Sequence, residues 1–168
     1  MTDTTLPEDL ERCIAFHGHW CPGLTIGYLA AKAGMAQLGA GRSEDEEFIA
    51  VVENDSCAVD AVQVLTGCTF GKGNLYFQDW GKMAFTFARR DKSASVRLYL
   101  RPAAAPVDDD APEQEQRRRR IRWMLEQDPA DLFDIRMDAL AELPHAAVIR
   151  ESVCCDRCGE MVMSTRIR

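Results

Sequence analysis

Residues 48–67 read Phe-Ile-Ala-Val-Val-Glu-Asn-Asp-Ser-Cys-Ala-Val-Asp-Ala-Val-Gln-Val-Leu-Thr-Gly. Phe48 to Val52 is a short, β-rich apolar run and reads as a buried strand. Glu53 to Asp55 breaks it, and a helix follows from about Ser56 to Leu65, closed by Gly67. Asp55 or Ser56 is placed to cap that helix. Cys57 then falls in its first turn, where the helix dipole favours the thiolate. Asp60 stands at i+3 from Cys57, on the same face. Strand-to-helix junctions of this kind are where α/β and α+β proteins place ligands. Cys57 and Asp60 are therefore candidates for nucleophile and proton carrier.

Upstream, Thr5 and Glu8 form a capping box before Leu10, Cys13, Ile14 and Phe16, which predicts a short helix ending near Gly18. Pro22 suits the first turn of a second helix that stops around Gly39 to Gly41. Between them lies Phe16-His17-Gly18-His19-Trp20-Cys21-Pro22-Gly23. If extended, this stretch turns His17, His19 and Cys21 to one side. Imidazole and thiolate are the donors that zinc and other borderline metals take, so these three residues and Cys57 are candidate metal ligands. Zinc is the default for this donor set, and iron or nickel satisfies it too.

Downstream, Thr66-Gly-Cys-Thr-Phe-Gly-Lys-Gly-Asn74 is a glycine-rich turn whose backbone N–H groups, with Lys72 and Gly73, could cradle an anion. Its spacing is not that of a Walker A loop. Lys72 is also a candidate proton carrier. Leu75–Phe77, Met83–Ala88 and Val96–Leu100 read as strands of a meander. Residues 102–112, with prolines and Asp108 to Asp110, read as a linker. A polar helix is expected over Glu113–Glu126, with Glu113/Arg117 and Glu115/Arg119 paired at i,i+4. A further helix is expected over Leu132–Leu140 and a strand over Ala146–Val153. The division is thus a core over 1–101, a linker over 102–112, and a helical arm with a cysteine tail over 113–168. The fold class is α+β, with helices and a mixed or antiparallel sheet.

The tail carries Cys154, Cys155 and Cys158, candidates for a second metal, since Cys-x-x-Cys-Gly is half of a zinc knuckle. No further cysteine or histidine follows before Arg168, so other ligands would have to come from His145, a carboxylate, water or another chain.

Composition sets outer bounds. The 168 residues carry 27 acidic and 20 basic side chains, a formal net charge of −7. That balance argues against a general nucleic-acid binder, which needs clustered Lys and Arg. No apolar run reaches the roughly 20 residues of a membrane span, and residues 1–11 lack the apolar stretch of a signal peptide. A cytoplasmic protein is expected. Seven cysteines, an odd number, then read as ligands, nucleophiles or core thiols more readily than as disulfides.

Taken together, Phe-His-Gly-His-x-Cys-Pro-Gly-Leu with Gly27, Glu53-Asn-Asp-x-Cys-x-x-Asp-Ala-x-Gln63, Thr66-Gly-Cys-Thr-x-Gly-Lys-Gly-Asn74 and Asp79-x-Gly-Lys-x-Ala-Phe85 resemble the FmdE family of formylmethanofuran dehydrogenase proteins. The likeness runs from about Leu10 to Leu100, and the tail is similar as well. It implies a fold related in topology to the C-terminal domain of glyceraldehyde-3-phosphate dehydrogenase. It implies an intertwined homodimer with the tail packed on the partner. It also implies a transition-metal site for which His17, Cys21 and Cys57 are the matching residues. The expected role is an accessory or metallocofactor-handling protein of a molybdenum or tungsten redox enzyme. The alternatives are a metal- or Cys-dependent enzyme acting on a small molecule in the core pocket, and an interaction module that uses the cysteine tail.

Overall fold

The computed structural model describes residues 6–91, 94–102, 111–140 and 142–167. Thr5 of the capping box and most of the linker lie outside them. Helices α1 (Glu8–His17), α2 (Pro22–Leu38) and α3 (Ala58–Thr66) surround strand β1 (Phe48–Val52) in sequence. Strands β2 (Leu75–Phe77), β3 (Ala84–Arg89) and β4 (Ala94–Leu100) follow. Helix α4 (Glu113–Glu126), the single turn α5 (Pro129–Leu132) and strand β5 (Phe133–Met137) come after the linker. A small hairpin, β6 (Ser152–Cys154) and β7 (Met161–Met163), ends the described chain with a 3-10 turn. The class is α+β, as expected.

The five-stranded sheet runs β2-β1-β3-β4-β5. β1 pairs parallel with β2, with Val51 opposite Tyr76, and antiparallel with β3, with Val51 opposite Thr86. Helix α3 is the crossover that a parallel pair requires. The three expected strands therefore do not form a simple meander. β1 inserts between β2 and β3, and of these strands only β3 and β4 form a hairpin. A second difference concerns 132–140. Phe133 and Ile135 do not continue a helix but pair with Leu100 and Leu98 as strand β5. The exposed polar groups along the β4 edge are satisfied that way, which outweighs local helix preference. The expected strand over Ala146–Val153 shrinks to Ser152–Cys154, paired with β7 through Val153 and Val162.

All five residues of β1 are buried. Phe48, Ala50 and Val52 face the helices and join one large core with Phe85, Phe87, Val96, Leu98 and Phe133. Ile49 and Val51 point the other way, into a smaller cluster with Ala88, Tyr76, Leu140 and Leu143. Strand alternation places successive residues on opposite faces, and both faces are covered, so the run is apolar throughout. Helix α4 lays Ile121 and Met124 into the protein, while its arginines pair outward, Arg117 with Glu113 and Arg119 with Glu115. Its apolar stripe is thus used within the chain. Among the described residues no helix is long and apolar enough to cross a membrane.

Candidate metal centre and its cleft

Three helix ends meet at one place. α1 stops at His17 because Gly18 adopts φ +89°, a left-handed conformation that glycine takes without strain. The chain then turns, so 16–23 is not extended, and Cys21 becomes the N-cap of α2 with Pro22 at the first helical position. Cys21 Sγ accepts from Leu24 N at 3.3 Å. Cys57 immediately precedes α3. The preceding turn is tied by Asn54, whose Nδ2 donates to Lys82 O at 3.0 Å and whose Oδ1 accepts from Ser56 Oγ at 2.7 Å. Ser56 Oγ in turn accepts from Ala58 N, which ties the turn, but the N-cap position is Cys57 with no side-chain cap hydrogen bond, so neither Asp55 nor Ser56 takes the expected N-cap position.

His17, Cys21 and Cys57 each bring one donor atom to this point, and the donors lie within 4.8 Å of one another. His17 Nε2 is 3.9 Å from Cys21 Sγ. A tetrahedral zinc ion holds an N–S ligand pair about 3.6 Å apart and an S–S pair about 3.8 Å apart. The donor set therefore fits a borderline or soft transition metal, and three protein ligands leave a fourth position open. His17 Nδ1 is 2.6 Å from Asp60 Oδ2. A carboxylate can only accept, so Nδ1 carries the proton and a metal would take the lone pair of Nε2 in the neutral ring. This is the outer partnership that fixes metal-binding histidines. Gly23 makes room for the two thiols: a β-carbon there would stand 3.1 Å from Cys57 Cβ and 3.8 Å from each sulfur.

The expected easing of thiol ionisation by the helix start does not hold at Cys57. Burial, then the neighbouring Cys21 thiol and the Asp60 charge, push its pKa above the usual thiol range. Desolvation acts on the whole thiol, whereas the dipole of a nine-residue helix gives only a fraction of a charge.

His19 is exposed, its ring centroid 4.4 Å from that of His17, and it stays outside the three-donor group. Lys72 is held elsewhere, with Nζ donating to the carbonyls of Ser43 and Glu44 at 3.2 and 3.1 Å. Gly73 sits beyond it in a left-handed turn against Ala147. Neither lines the cleft beside the donors. Cys68 is buried and donates to Phe48 O. In the tail, Cys154, Cys155 and Cys158 do not form a three-donor group among the described residues. Cys155 and Cys158 lie in a tight turn closed by Gly159 N to Cys155 O at 2.8 Å. The backbone N–H groups of Cys158 and Arg157 hold the Cys155 thiol below the usual range.

A cleft of about 490 Å3 opens beside the donors, lined among others by His17, Cys57, Asp60, Asp55, Gln63, Phe70 and Phe77. Sequence reasoning singled out His17, Cys57 and Asp60 as site residues, took Asp55 only as a helix cap, quoted Gln63 only within the family motif, and missed the two phenylalanines. The only signal for Phe70 and Phe77 was an apolar side chain in a turn and at the end of an edge strand.

The comparisons agree with this architecture. Residues 16–148 match the family described as FmdE, molybdenum formylmethanofuran dehydrogenase operon. A crystal structure of a tungsten formylmethanofuran dehydrogenase FmdE-like protein from Syntrophus aciditrophicus superposes with a TM-score of 0.72 at 26% identity, covering 94% of this chain and 85% of that one. A probable S-adenosyl-L-methionine-binding protein of Archaeoglobus fulgidus is 30% identical over 95% of this chain. The chain spans 50% of that relative's length. With the match covering most of its length and the same fold in a solved relative, the chain belongs to the FmdE family.

Proposed function

We propose that this protein is a homodimeric, cytoplasmic metal-binding accessory protein of a formylmethanofuran dehydrogenase-like redox enzyme, holding one transition metal, zinc by default, through His17, Cys21 and Cys57. The observation that carries the reading is the His17 ring, fixed by Asp60 at 2.6 Å on one nitrogen and facing two thiols with the other. Family membership supports the accessory role. The exposed Phe16 and Trp80, outside the cleft lining, support burial of part of this surface by a second copy. The bound metal would supply Lewis acidity or a site for handing the ion on. The chain's own part is to hold the donors, orient His17 through Asp60, and leave one position open to the cleft.

Metal analysis of untagged protein tests the reading. His17→Ala and Cys57→Ser are expected to lower bound metal from about one ion per chain to a small fraction, with far-UV circular dichroism unchanged. Full metal content in both variants would sink the assignment and shift attention to Cys154, Cys155 and Cys158.

A second reading, a small-molecule site, is favoured by the open cleft that His17 and Cys57 line, where a bound metal would lie beside a ligand. The name of the Archaeoglobus relative supports S-adenosylmethionine as the ligand to try.

A further inference from the structure

We infer that the cleft selects a positively charged ligand bearing a flat ring: the ring covers Phe70 and Phe77, the cation faces Asp55, and a donor atom takes the coordination position that His17, Cys21 and Cys57 leave open. This rests on the small-molecule reading above.

The charge argument comes from the lining. Asp55 and Asp60 are its carboxylates, and no lysine or arginine is among the lining residues. With a divalent metal bound, the two thiolates cancel its charge and His17 contributes none. The two carboxylates are then left over, so the occupied site is net negative and an anion is disfavoured. Asp60 is engaged by His17. The Asp55 side chain has no hydrogen bond or ion pair among the described residues and is exposed at the mouth. It does not cap α3, which has no side-chain cap, so its carboxylate is available to a ligand.

The ring argument comes from exposure. Phe70 is 81% and Phe77 49% exposed, although both border a cleft whose inner wall is the buried or half-buried Val52, Val59 and Leu75. Large aromatics left in water beside a concave apolar wall are the usual lining of a ligand pocket. The side-chain amide of Gln63, also without a hydrogen-bond partner among the described residues, is free to meet the edge of a heteroaromatic ring. An adenosyl sulfonium amino acid has all three parts: a flat base, a sulfonium cation, and an amino nitrogen whose lone pair can bind a metal.

The test uses the full chain, reduced and loaded with zinc, in equilibrium dialysis against S-adenosylmethionine and S-adenosylhomocysteine. The two share the ring and the donors and differ in the methyl group that makes the sulfur cationic. The sulfonium is expected to bind about fivefold more tightly, the effect of one partly exposed charge pair. Asp55→Asn should bring the ratio close to one without changing zinc content. Phe70→Ala with Phe77→Ala should weaken both ligands alike and keep the ratio. Equal affinity of the two ligands, no saturable binding of either, or an unchanged ratio in Asp55→Asn would overturn the inference. If the phenylalanine variant loses dimerisation in sedimentation but binds both ligands as before, the ring role falls. Zinc measured on the same samples separates the two readings. A zinc-replete chain without preference fails the charge selection alone. A zinc-free chain that still prefers the sulfonium fails the metal centre and keeps the selection.

Discussion

The backbone of Ala58 lies so close to Gly27 that a β-carbon on Gly27 would overlap the Ala58 carbonyl oxygen. Helices α2 and α3 therefore touch through backbone, and the contact sits between Cys21 at the start of one helix and Cys57 just before the other. Gly27→Ala is expected to destabilise the fold by about 1–3 kcal/mol, the cost of overpacking a core. It should also spread the two thiols and weaken metal binding. Urea unfolding read alongside chelator competition checks both effects, and an unchanged metal affinity would mean the approach does not set the site.

Asp60→Asn keeps the size of the side chain but removes the carboxylate that holds His17. Metal affinity should fall about 10- to 100-fold, the usual loss when the partner of a metal-binding histidine is replaced. Folding should be little affected, because Asp60 is only half-buried. Competition with a chromophoric chelator measures the first, thermal unfolding the second.

Burial pushes the thiols of Cys13 and Cys68 up to about 11. A folded-state pKa above the unfolded one gives stability that is complete below the unfolded value and is lost as pH rises through the folded value. The loss is therefore expected between about pH 8.5 and 11. Replacing both cysteines by alanine should flatten that alkaline decline in urea midpoints. The same difference orders thiol reactivity at neutral pH. Cys155, held toward the thiolate by backbone N–H groups, should alkylate first and Cys13 and Cys68 last, in timed labelling read by mass spectrometry.

Arg97 reaches Glu53 with both arms, Nε to Oε1 at 2.6 Å and one terminal nitrogen to Oε2 at 2.8 Å, and Glu53 is 2% exposed. Arg97→Ala leaves that carboxylate buried and alone, with an expected cost of about 3 kcal/mol, at the low end because Arg97 itself is partly solvated. Glu53→Gln in the same background should recover part of it. A double mutant no more stable than Arg97→Ala would show that the pair is not what burial of Glu53 depends on.

Phe48–Val52 and Glu113–Glu126 were legible to the residue, since an apolar run of five and a string of i,i+4 pairs are signals contained in the segment itself. So were the helix ends at Gly18, Cys21-Pro22 and Gly67, because capping is local chemistry. The donors His17, His19, Cys21 and Cys57 could be picked out by their chemistry, while the narrower set of His17, Cys21 and Cys57 rests on the resemblance to the FmdE family. The sequence could not place β1 between β2 and β3, or make 133–137 a strand, because pairing partners lie far away along the chain. Nor could it tell that Asp60 would serve His17, that His19 and Lys72 would stay apart from the donors, or that burial would outweigh the helix dipole at Cys57. Those outcomes depend on how closely three helices approach, and that distance is set by Gly23 and Gly27 only once the sheet has brought their helices together.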